Sequence, residues 1–318
     1  MRERGAQEAT TQMGCMAAED PPITFSAVCH MSVEGVGELS LLERIKPYLA
    51  AAAGVDDAAV IADATGFVVV STDMFVEGVH FDLAWMSAED VGWRSLALAL
   101  GDLAAKGADP AWALAAVAMP KRWPLEHLDG LYKGMSGLAK RFTLSIAGGD
   151  LSSIDGPAVI SLAVAGRTAE LPLARAQAEA GWSVGVTGPL GGAAVALRAQ
   201  RSFRLVPLFD EGHRLNQLGL CCGDISDGLV REMEKFAAMA GVGSVLWGED
   251  VPRAAGASME DALTSGEEAE LVCVGPEELI RKAGLQLVGT LTDDRLVRVI
   301  DARGAPIKLR STGYDHFA

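Results

Sequence analysis

The stretch GDISDGL, residues 223–229, places two aspartates three positions apart directly before the amphipathic segment LVREMEKFAAMAG. Asp224 and Asp227 flank Ser226, and this spacing is typical of a helix start with Ser226 or Asp227 as the N-cap. The same oxygens can bind a metal ion or accompany a nucleotide, because a helix N-terminus offers free N–H groups and a positive dipole end to an anion. The stretch therefore predicts a helix start that can also be a ligand site.

The composition excludes several classes of partner. The chain has 318 residues, half of them apolar, and a formal net charge of −15. Its length allows two domains, and its apolar runs are too short for a transmembrane span. An acidic chain without a basic patch is not expected to bind nucleic acid or an anionic membrane surface. If it acts on a phosphate compound, cations must act as intermediaries.

The N-terminal segment and the cysteines bear on the cellular compartment in which the protein is expected. Residues 1–36 lack helical or strand periodicity and an apolar segment long enough for a signal peptide, so we expect a disordered extension. The five cysteines form no CxxC or Cys/His ligand pattern. This usage is typical of a reduced, cytoplasmic protein with incidental thiols.

Apolar periodicity predicts alternating strands and helices in the first half of the chain. Gly66 marks a hairpin turn, and Ser87 with Asp90 forms a capping-box pattern at a helix start. A polar, Ala-rich stretch then indicates a boundary between two domains, residues 37–168 and 169–318. The predicted elements are a helix at 37–50, strands at 58–62 and 67–72, a helix from Ser87 to about Gly107, a strand at 112–119, a helix at 124–142, and strands at 143–150 and 157–168.

Acidic residues recur beside the ends of the predicted buried strands. At such positions the sheet fixes the backbone while the adjoining loop is free to meet a ligand. Mg²⁺ prefers oxygen ligands and commonly takes one or two carboxylates together with phosphate and water. Taken singly, each residue has an ordinary interpretation as a turn former, and Asp102 can pair with Lys106 at helical i,i+4 spacing. The residues concerned are Asp56, Asp57, Asp73, Asp150, Asp224 and Asp227.

The familiar phosphate-binding motifs do not occur in the sequence. It has no GxxxxGK[ST] loop and no GxGxxG after a strand, and it has neither a GxSxG elbow nor an HExxH motif. If a nucleotide binds, carboxylates and metal ions must hold its phosphates.

Seven short motifs occur in a fixed order: STD at 71–73, His80, DLAAKGADP at 102–110, GGD at 148–150, DISDGL at 224–229, SGEEAEL at 265–271 and GYDHF at 313–317. In these motifs and their order the chain resembles the thiamine-monophosphate kinase family of the aminoimidazole ribonucleotide synthetase-like superfamily. The resemblance extends from about Gly37 to Phe317. An ordered set of seven motifs is far more specific than any one of them.

The resemblance implies a fold, an activity and an oligomeric state. The fold is α/β (α+β) with two domains. Residues 37–168 form an N-terminal metal- and ATP-binding domain whose sheet pairs with that of a partner across a two-fold axis, and residues 169–318 form a C-terminal α+β domain. The activity is ATP-dependent phosphorylation of thiamine monophosphate to thiamine diphosphate by a homodimer, with several Mg²⁺ ions. Direct in-line transfer to an ionised phosphate oxygen needs no general base, and we assign none.

The resemblance also implies a role for individual residues. The metal ligands are Asp57, Ser71, Thr72, Asp73, Asp102, Asp150, Asp224 and Asp227. The ATP contacts are Gly149, Asp150, Arg175 and Ser226. The substrate contacts are His80, Glu267 and Tyr314. In such a site metal ions supply most of the positive charge. Arg175 is the exception, because its side chain is expected to contact phosphate directly.

The sequence departs from the family pattern at several positions. Gly101 stands where the family commonly has Ser or Asn, Leu151 where it has Thr, and Glu268 and Ala269 where it has Asp and Tyr. The segment before Cys221 is also shorter. Two alternatives follow: another ATP-dependent enzyme of the superfamily, or a degenerate nucleotide-binding regulatory protein. The chain lacks the cysteine-bearing tail of a hydrogenase-maturation dehydratase and the reactive Cys-plus-Lys loop of a selenophosphate synthetase.

Overall fold

The protein folds around two β-sheets that follow one another along the chain. The computed structural model describes Val33, residues 35–49 and residues 56–317. The predicted disordered extension, residues 1–36, lies almost entirely outside the described residues. No helix in the described part of the chain has the length and apolar character needed to cross a membrane.

The first sheet has the strand order β1-β2-β5-β3-β4. Its strands are β1 (Ala59–Asp63), β2 (Gly66–Val76), β3 (Asp109–Met119), β4 (Ser145–Ser153) and β5 (Val159–Thr168). Strands β1 and β2 form the predicted hairpin, in which Asp63 pairs with Gly66. A side chain at Gly66, whose φ is +140°, would meet the backbone of Thr168, so this turn requires glycine.

Two long helices cover one face of this sheet. The helices of the first half are α1 (Glu38–Ile45), which continues as a 3₁₀ turn at Lys46–Tyr48, α2 (Ala88–Ala105) and α3 (Leu125–Arg141). The Ser87 hydroxyl accepts the Asp90 N–H at 3.1 Å, which confirms the predicted cap of α2. The predicted helix at 37–50 leaves the α-helical conformation after Ile45, because Pro47 has no N–H to donate.

The opposite face of the first sheet carries exposed apolar side chains. Successive residues of a strand point to opposite faces, so the strands bury one set of side chains under the helices and present the other set outward. The outward set includes Ile61, Met74, Trp112 and Leu114, each more than a third exposed. Asp150 belongs to this face, because it is paired with Ala116, two residues beyond Leu114 on β3. We call this surface the bare face.

The second sheet has the strand order β11-β8-β10-β6-β9-β7. Its strands are β6 (Ser183–Val186), β7 (Cys221–Asp224), β8 (Gly243–Trp247), β9 (Leu271–Gly275), β10 (Gln286–Thr292) and β11 (Val297–Ile300). The accompanying helices are α4 (Gly192–Arg198), α5 (Phe209–Gln217), α6 (Leu229–Ala240), α7 (Met259–Thr264) and α8 (Glu277–Lys282), with 3₁₀ turns at Arg175–Gln177 and Gly248–Asp250.

The cysteines differ from the sequence-based expectation. Strands β7 and β9 are antiparallel neighbours, and their register places Cys222 opposite Cys273. The two residues form a disulfide, so the expectation of incidental thiols is wrong for this pair. Among the described cysteines, Cys221 keeps a buried thiol, and burial raises its pKa to about 12.

We expect two glycines of α3 to respond oppositely to alanine. A Cβ at Gly134 would overlap the Glu89 carbonyl of α2, whereas a Cβ at Gly137 would lie 3.7 Å from the Trp93 ring. Gly137→Ala should stabilise the fold by about 0.5–1 kcal/mol through helix propensity. Gly134→Ala should destabilise it by about 1–3 kcal/mol because the two helices must separate. Urea denaturation of both variants checks this, and equal stabilisation would show that the α2–α3 contact is looser than described.

Candidate active site

A cavity of about 990 Å³ lies between the two halves of the chain and is lined by residues of both. The first half contributes β2 and α2, and the second contributes the end of β7, the turn after it, Lys235 of α6, helix α4 and the C-terminal segment. This convergence brings most of the predicted site residues into one space. They are Asp57, Ser71, Thr72, Asp73, His80, Asp102, Arg175, Asp224, Ser226, Asp227, Glu267 and Tyr314.

Three carboxylates form the centre of the cluster. Asp57, Asp102 and Asp224 each place a carboxylate oxygen within 4.8 Å of the others. Asp57 precedes β1, Asp102 lies in α2 and Asp224 ends β7, so three separate elements meet here. A Cβ at Gly101 would lie 3.0 Å from the Asp224 carboxylate. Glycine at this position therefore allows α2 to approach β7, and a Ser or Asn side chain would crowd Asp224.

Strand β2 adds a hydroxyl and a further carboxylate. The Ser71 hydroxyl donates to the Asp102 carboxylate and is 3.0 Å from the Asp57 carbonyl oxygen. Asp73 lies two residues further along β2, on the same face. Thr72 lies between them, and its exposed side chain points to the bare face. Any contribution of Thr72 to the cluster would therefore come from its backbone.

Crowding and burial alter the acidity of these carboxyls. Burial raises the pKa of Asp73 to about 6, and the charge of Asp227 adds to the shift. Burial also raises the pKa of Asp102, with repulsion from Asp224, and the pKa of Asp224, with repulsion from Asp57. Carboxylates this close repel one another unless a cation lies among them. A set of oxygen donors alone suits a hard divalent cation such as Mg²⁺.

Two buried cations partly neutralise the cluster. Lys106, which the sequence could pair with Asp102, reaches Asp56 and Asp57 instead, the latter at 3.0 Å. Arg175 pairs with Asp57 and, at 2.6 Å, with Glu232. Burial alone would raise the pKa of Asp57. The positive charges of Arg175 and Lys106 outweigh this effect and hold that pKa below its usual value. Arg175 is therefore a counterion within the cluster, and its direct contact with nucleotide stays a prediction.

The GDISDGL stretch forms the turn between β7 and α6. Helix α6 has Gly228 as its N-cap residue, with no side-chain cap, so the predicted cap by Ser226 or Asp227 is wrong. The Ser226 hydroxyl and the Asp227 N–H instead donate to one oxygen of Glu232, at 3.2 and 3.4 Å. The Lys235 ammonium donates to the Asp227 carboxylate at 2.8 Å. Both Ser226 and Asp227 line the cavity as a result.

The predicted substrate contacts lie around an aromatic part of the same cavity. The His80 Nδ1 accepts the Val76 N–H at 3.0 Å, and burial lowers the pKa of the imidazole. The His316 ring lies 5.0 Å from that of His80 and 4.7 Å from that of Tyr314. This group of rings offers flat surfaces to a heteroaromatic ligand.

Backbone contacts dock the substrate-side segments onto the GDISDGL turn. The Glu267 N–H donates to the Ser226 carbonyl at 2.7 Å, and the Tyr314 N–H donates to the Asp227 carbonyl at 3.0 Å. Glu267 has a φ of +57°, and its carboxylate pairs with Arg94 of α2. The aromatic part of the cavity and the carboxylate cluster are therefore held in a fixed relation.

The next residue, Glu268, has a structural part in this arrangement. Its buried carboxylate accepts the N–H groups of Gly191 and Ala193, at 2.9 and 3.1 Å, at the start of α4. Burial raises the pKa of Glu268 to about 7. The departure from the family pattern at this position thus connects the 265–271 motif to α4, whose residues Ala194 and Leu197 line the cavity.

Gly149 and Asp150 lie apart from the other predicted site residues. They belong to the exposed edge strand β4 and line a separate depression with Tyr132 and Ser136. A Cβ at Gly149 would overlap the Ala115 backbone, so glycine allows β4 to lie close to β3. Within one chain, the structure does not bring these two residues to the carboxylate cluster.

Several cavity residues escaped the sequence-based predictions. Lys235 lies three residues after Glu232 on α6, and this helical spacing was the signal that could have found it. Arg94 and Phe203 reach the cavity from α2 and from the segment before α5, and no local pattern indicates them. Their contribution depends on contacts between distant parts of the chain.

Comparison with known proteins agrees with this arrangement. The family described as AIR synthase related protein, N-terminal domain, matches residues 55–168. The thiamine-monophosphate kinase of Rhodopirellula baltica is 34% identical over 249 residues, which are 71% of this chain and 77% of that protein. The thiamine-monophosphate kinase of Synechococcus elongatus is 29% identical over 323 residues, 90% of this chain and 98% of that protein.

A solved structure gives the same result for the fold. The structure described as AaThiL complexed with AMPPCP and TMP has a TM-score of 0.78 and 26% identity, and the match covers 89% of this chain and 97% of that chain. The predicted α/β fold of the aminoimidazole ribonucleotide synthetase-like type is therefore confirmed.

We expect the carboxylate cluster to bind divalent cations more tightly as the pH rises. Asp73 must lose a proton with a pKa of about 6 before it can bind a cation. This group alone should increase the affinity for Mn²⁺ by about fourfold between pH 5.5 and 7.5, and Asp102 and Asp224 should add to the increase. Isothermal titration calorimetry of the nucleotide-free protein measures it. An affinity that does not change with pH would contradict a site built from these carboxyls.

Proposed function

This chain belongs to the thiamine-monophosphate kinase family, phosphotransferases with a phosphate group as acceptor, and we propose that it transfers the γ-phosphoryl group of ATP to thiamine monophosphate. The product is thiamine diphosphate. The observation that carries the proposal is a single cavity that joins buried carboxylates to a group of aromatic rings. A solved relative complexed with AMPPCP and TMP supports both substrates. Because ATP is the donor, we propose a cytoplasmic site of action.

The carboxylate cluster is proposed to hold several Mg²⁺ ions. Asp57, Asp102 and Asp224 are close enough to share one ion, and Asp73 and Asp227 line the same cavity. These aspartates would hold Mg²⁺, which when bound would supply positive charge that offsets the charge of the transferred phosphoryl group. The chain itself fixes the carboxylates from several elements, and this positioning allows two anionic substrates to approach each other.

The transfer needs little covalent chemistry from the protein. The attacking atom is an oxygen of a phosphate ester that is largely ionised near neutral pH, so no side chain has to remove a proton. The γ-phosphoryl group moves from the β-phosphate oxygen of ATP to this oxygen, and ADP leaves. The residues of the cavity hold donor and acceptor in line, and Ser226 is a proposed nucleotide contact at the α6 N-terminus.

The aromatic part of the cavity suits the thiamine portion of the acceptor. Thiamine monophosphate has an aminopyrimidine ring and a cationic thiazolium ring. His80 and Tyr314 can contact such rings, and the Glu267 carboxylate supplies negative charge near a cation. The proposed acceptor contacts are therefore the three residues expected from the motifs.

A homodimer formed through the bare face is proposed as the working unit. In this proposal residues 37–168 are the dimerisation domain and residues 169–318 the closing α+β domain. Contiguous exposed apolar side chains commonly mark an interface. Asp150 lies on this face and away from the cavity of its own chain, which supports a role for Gly149 and Asp150 at the site of the partner.

Loss of a proposed metal ligand should abolish turnover. We expect Asp73→Ala and Asp227→Ala each to lower kcat by more than about a hundredfold with limiting Mg²⁺, because each removes an oxygen from the cluster. A coupled assay with ATP, Mg²⁺ and thiamine monophosphate measures thiamine diphosphate. Asp129→Ala, an exposed aspartate on α3, is the control and should retain full activity.

The same assay separates the kinase from the alternatives. Wild-type rates in either cluster variant would contradict the ligand assignment. If the wild-type protein forms no thiamine diphosphate above the Asp73→Ala background, the kinase proposal fails. Mg²⁺-dependent binding of ATP without turnover would then favour a regulatory protein.

A charge on the bare face should separate the dimer. Leu114→Glu places a carboxylate on this face, where dimerisation would have to bury it, and should give a monomer in sedimentation velocity. Leu125→Glu is the matched control, because Leu125 is exposed at the start of α3 on the other side of the sheet. If both variants remain dimeric, the dimer interface lies on a surface other than the bare face.

A further inference from the structure

Lys235 of α6 has three polar partners at the edge of the carboxylate cluster. Its ammonium lies 2.8 Å from the Asp227 carboxylate, 2.8 Å from the Glu232 carboxylate and 3.3 Å from the Ser226 hydroxyl. An ammonium has three N–H donors, and two of them are held by the carboxylates. The third makes the longer contact with Ser226, which an incoming ligand oxygen can replace. Glu232 is fully buried and also pairs with Arg175. The carboxylate that positions Lys235 is therefore itself held in place.

The side chain of Lys235 is more exposed than those of the other two cations of the cluster. The side chains of Lys106 and Arg175 are each 1% exposed, and both pair with Asp57 of the cluster. The Lys235 side chain is 14% exposed and lines the cavity beside Ser226 and Asp227. A phosphate entering this part of the cavity would therefore meet the ammonium of Lys235.

The contact with Asp227 is compatible with a metal ion on the same carboxylate. Lys235 and Ser226 both approach Oδ2 of Asp227. A cation bound through Oδ1 would leave the ammonium in place. Lysine is a compact charge that binds phosphate oxygens well, and a phosphate between a divalent cation and an ammonium is stabilised from two sides.

We propose that Lys235 is a direct ligand of phosphoryl oxygens in the active cavity, positioned by Glu232 and Asp227. The proposal rests on the proposed function, since it assumes that phosphates enter this cavity. Two phosphates can supply these oxygens, those of the nucleotide and that of thiamine monophosphate. Lys235 offers a positive charge to the phosphate in a region of the cavity that is otherwise lined by negatively charged carboxylates.

The test compares ligand binding by Lys235→Met, Lys235→Arg and wild-type protein. Isothermal titration calorimetry with AMPPCP and Mg²⁺ forms one arm, and thiamine monophosphate with Mg²⁺ forms the other. For the phosphate that Lys235 contacts, we expect Lys235→Met to weaken binding by about tenfold or more and Lys235→Arg to stay within about threefold. Lys133→Met, an exposed lysine on α3, is the control and should bind like wild type.

Mn²⁺ binding without nucleotide distinguishes a phosphate contact from a structural role. Removing a positive charge beside Asp227 should leave the Mn²⁺ affinity of Lys235→Met unchanged or increase it, whereas a collapsed turn at 226–227 would lower it. If Lys235→Met does not fold, Lys235→Gln takes its place with the same expectations.

The proposal is overturned if both AMPPCP and thiamine monophosphate bind the folded methionine or glutamine variant as tightly as wild type. It is also overturned if Mn²⁺ and phosphate ligands weaken together, because the lysine then only supports the turn. If wild-type protein binds neither phosphate ligand, the proposed function itself has failed, and the proposal for Lys235 fails with it.

Discussion

The structure depends on the burial of several carboxylates at one place, where they would repel one another without compensating charge. Buried charges are tolerated only when they are paired and hydrogen-bonded. The protein meets this condition with ion pairs that alternate in sign and run from the end of α2 to the turn before α6. Along this path the residues are Lys106, Asp57, Arg175, Glu232, Lys235 and Asp227.

This network joins the two halves of the chain as well as balancing charge. Lys106 and Asp57 belong to the first half, whereas Arg175 and Glu232 belong to the second. Removing one charged residue would leave its partner as an uncompensated buried charge. The intact network therefore holds the two halves together. Compensation is nevertheless incomplete, since burial, with added repulsion between the carboxylates, keeps the pKa values of Asp73, Asp102 and Asp224 raised. The remaining repulsion favours the binding of divalent cations.

The departures from the family pattern are accommodated locally. Gly101 leaves room for the Asp224 carboxylate, and Glu268 is satisfied by backbone N–H groups at the start of α4. Phe203, from the shortened segment before Cys221, comes close to the position that a Cβ at Gly192 would occupy, at 3.1 Å. Glu268 and Phe203 therefore contact the start of α4, and Gly101 lies beside the carboxylate cluster.

The sequence by itself determined the local structure and the chemical character of the site. The Gly66 hairpin, the Ser87 cap and the aspartates beside strand ends follow from interactions between residues close in the chain. The motifs also identified the family, because their order along the chain is specific even where a single motif is not.

Only the tertiary structure decided which charges meet. It assigned Arg175 to Asp57 and Glu232, brought Lys235 to Asp227, paired Cys222 with Cys273, and placed Asp150 on the opposite face of its sheet from Asp73. Most of these relations depend on strand register and on packing between elements far apart in the chain. A shift of one residue in a strand reverses the face of every side chain, so no local pattern could have fixed them.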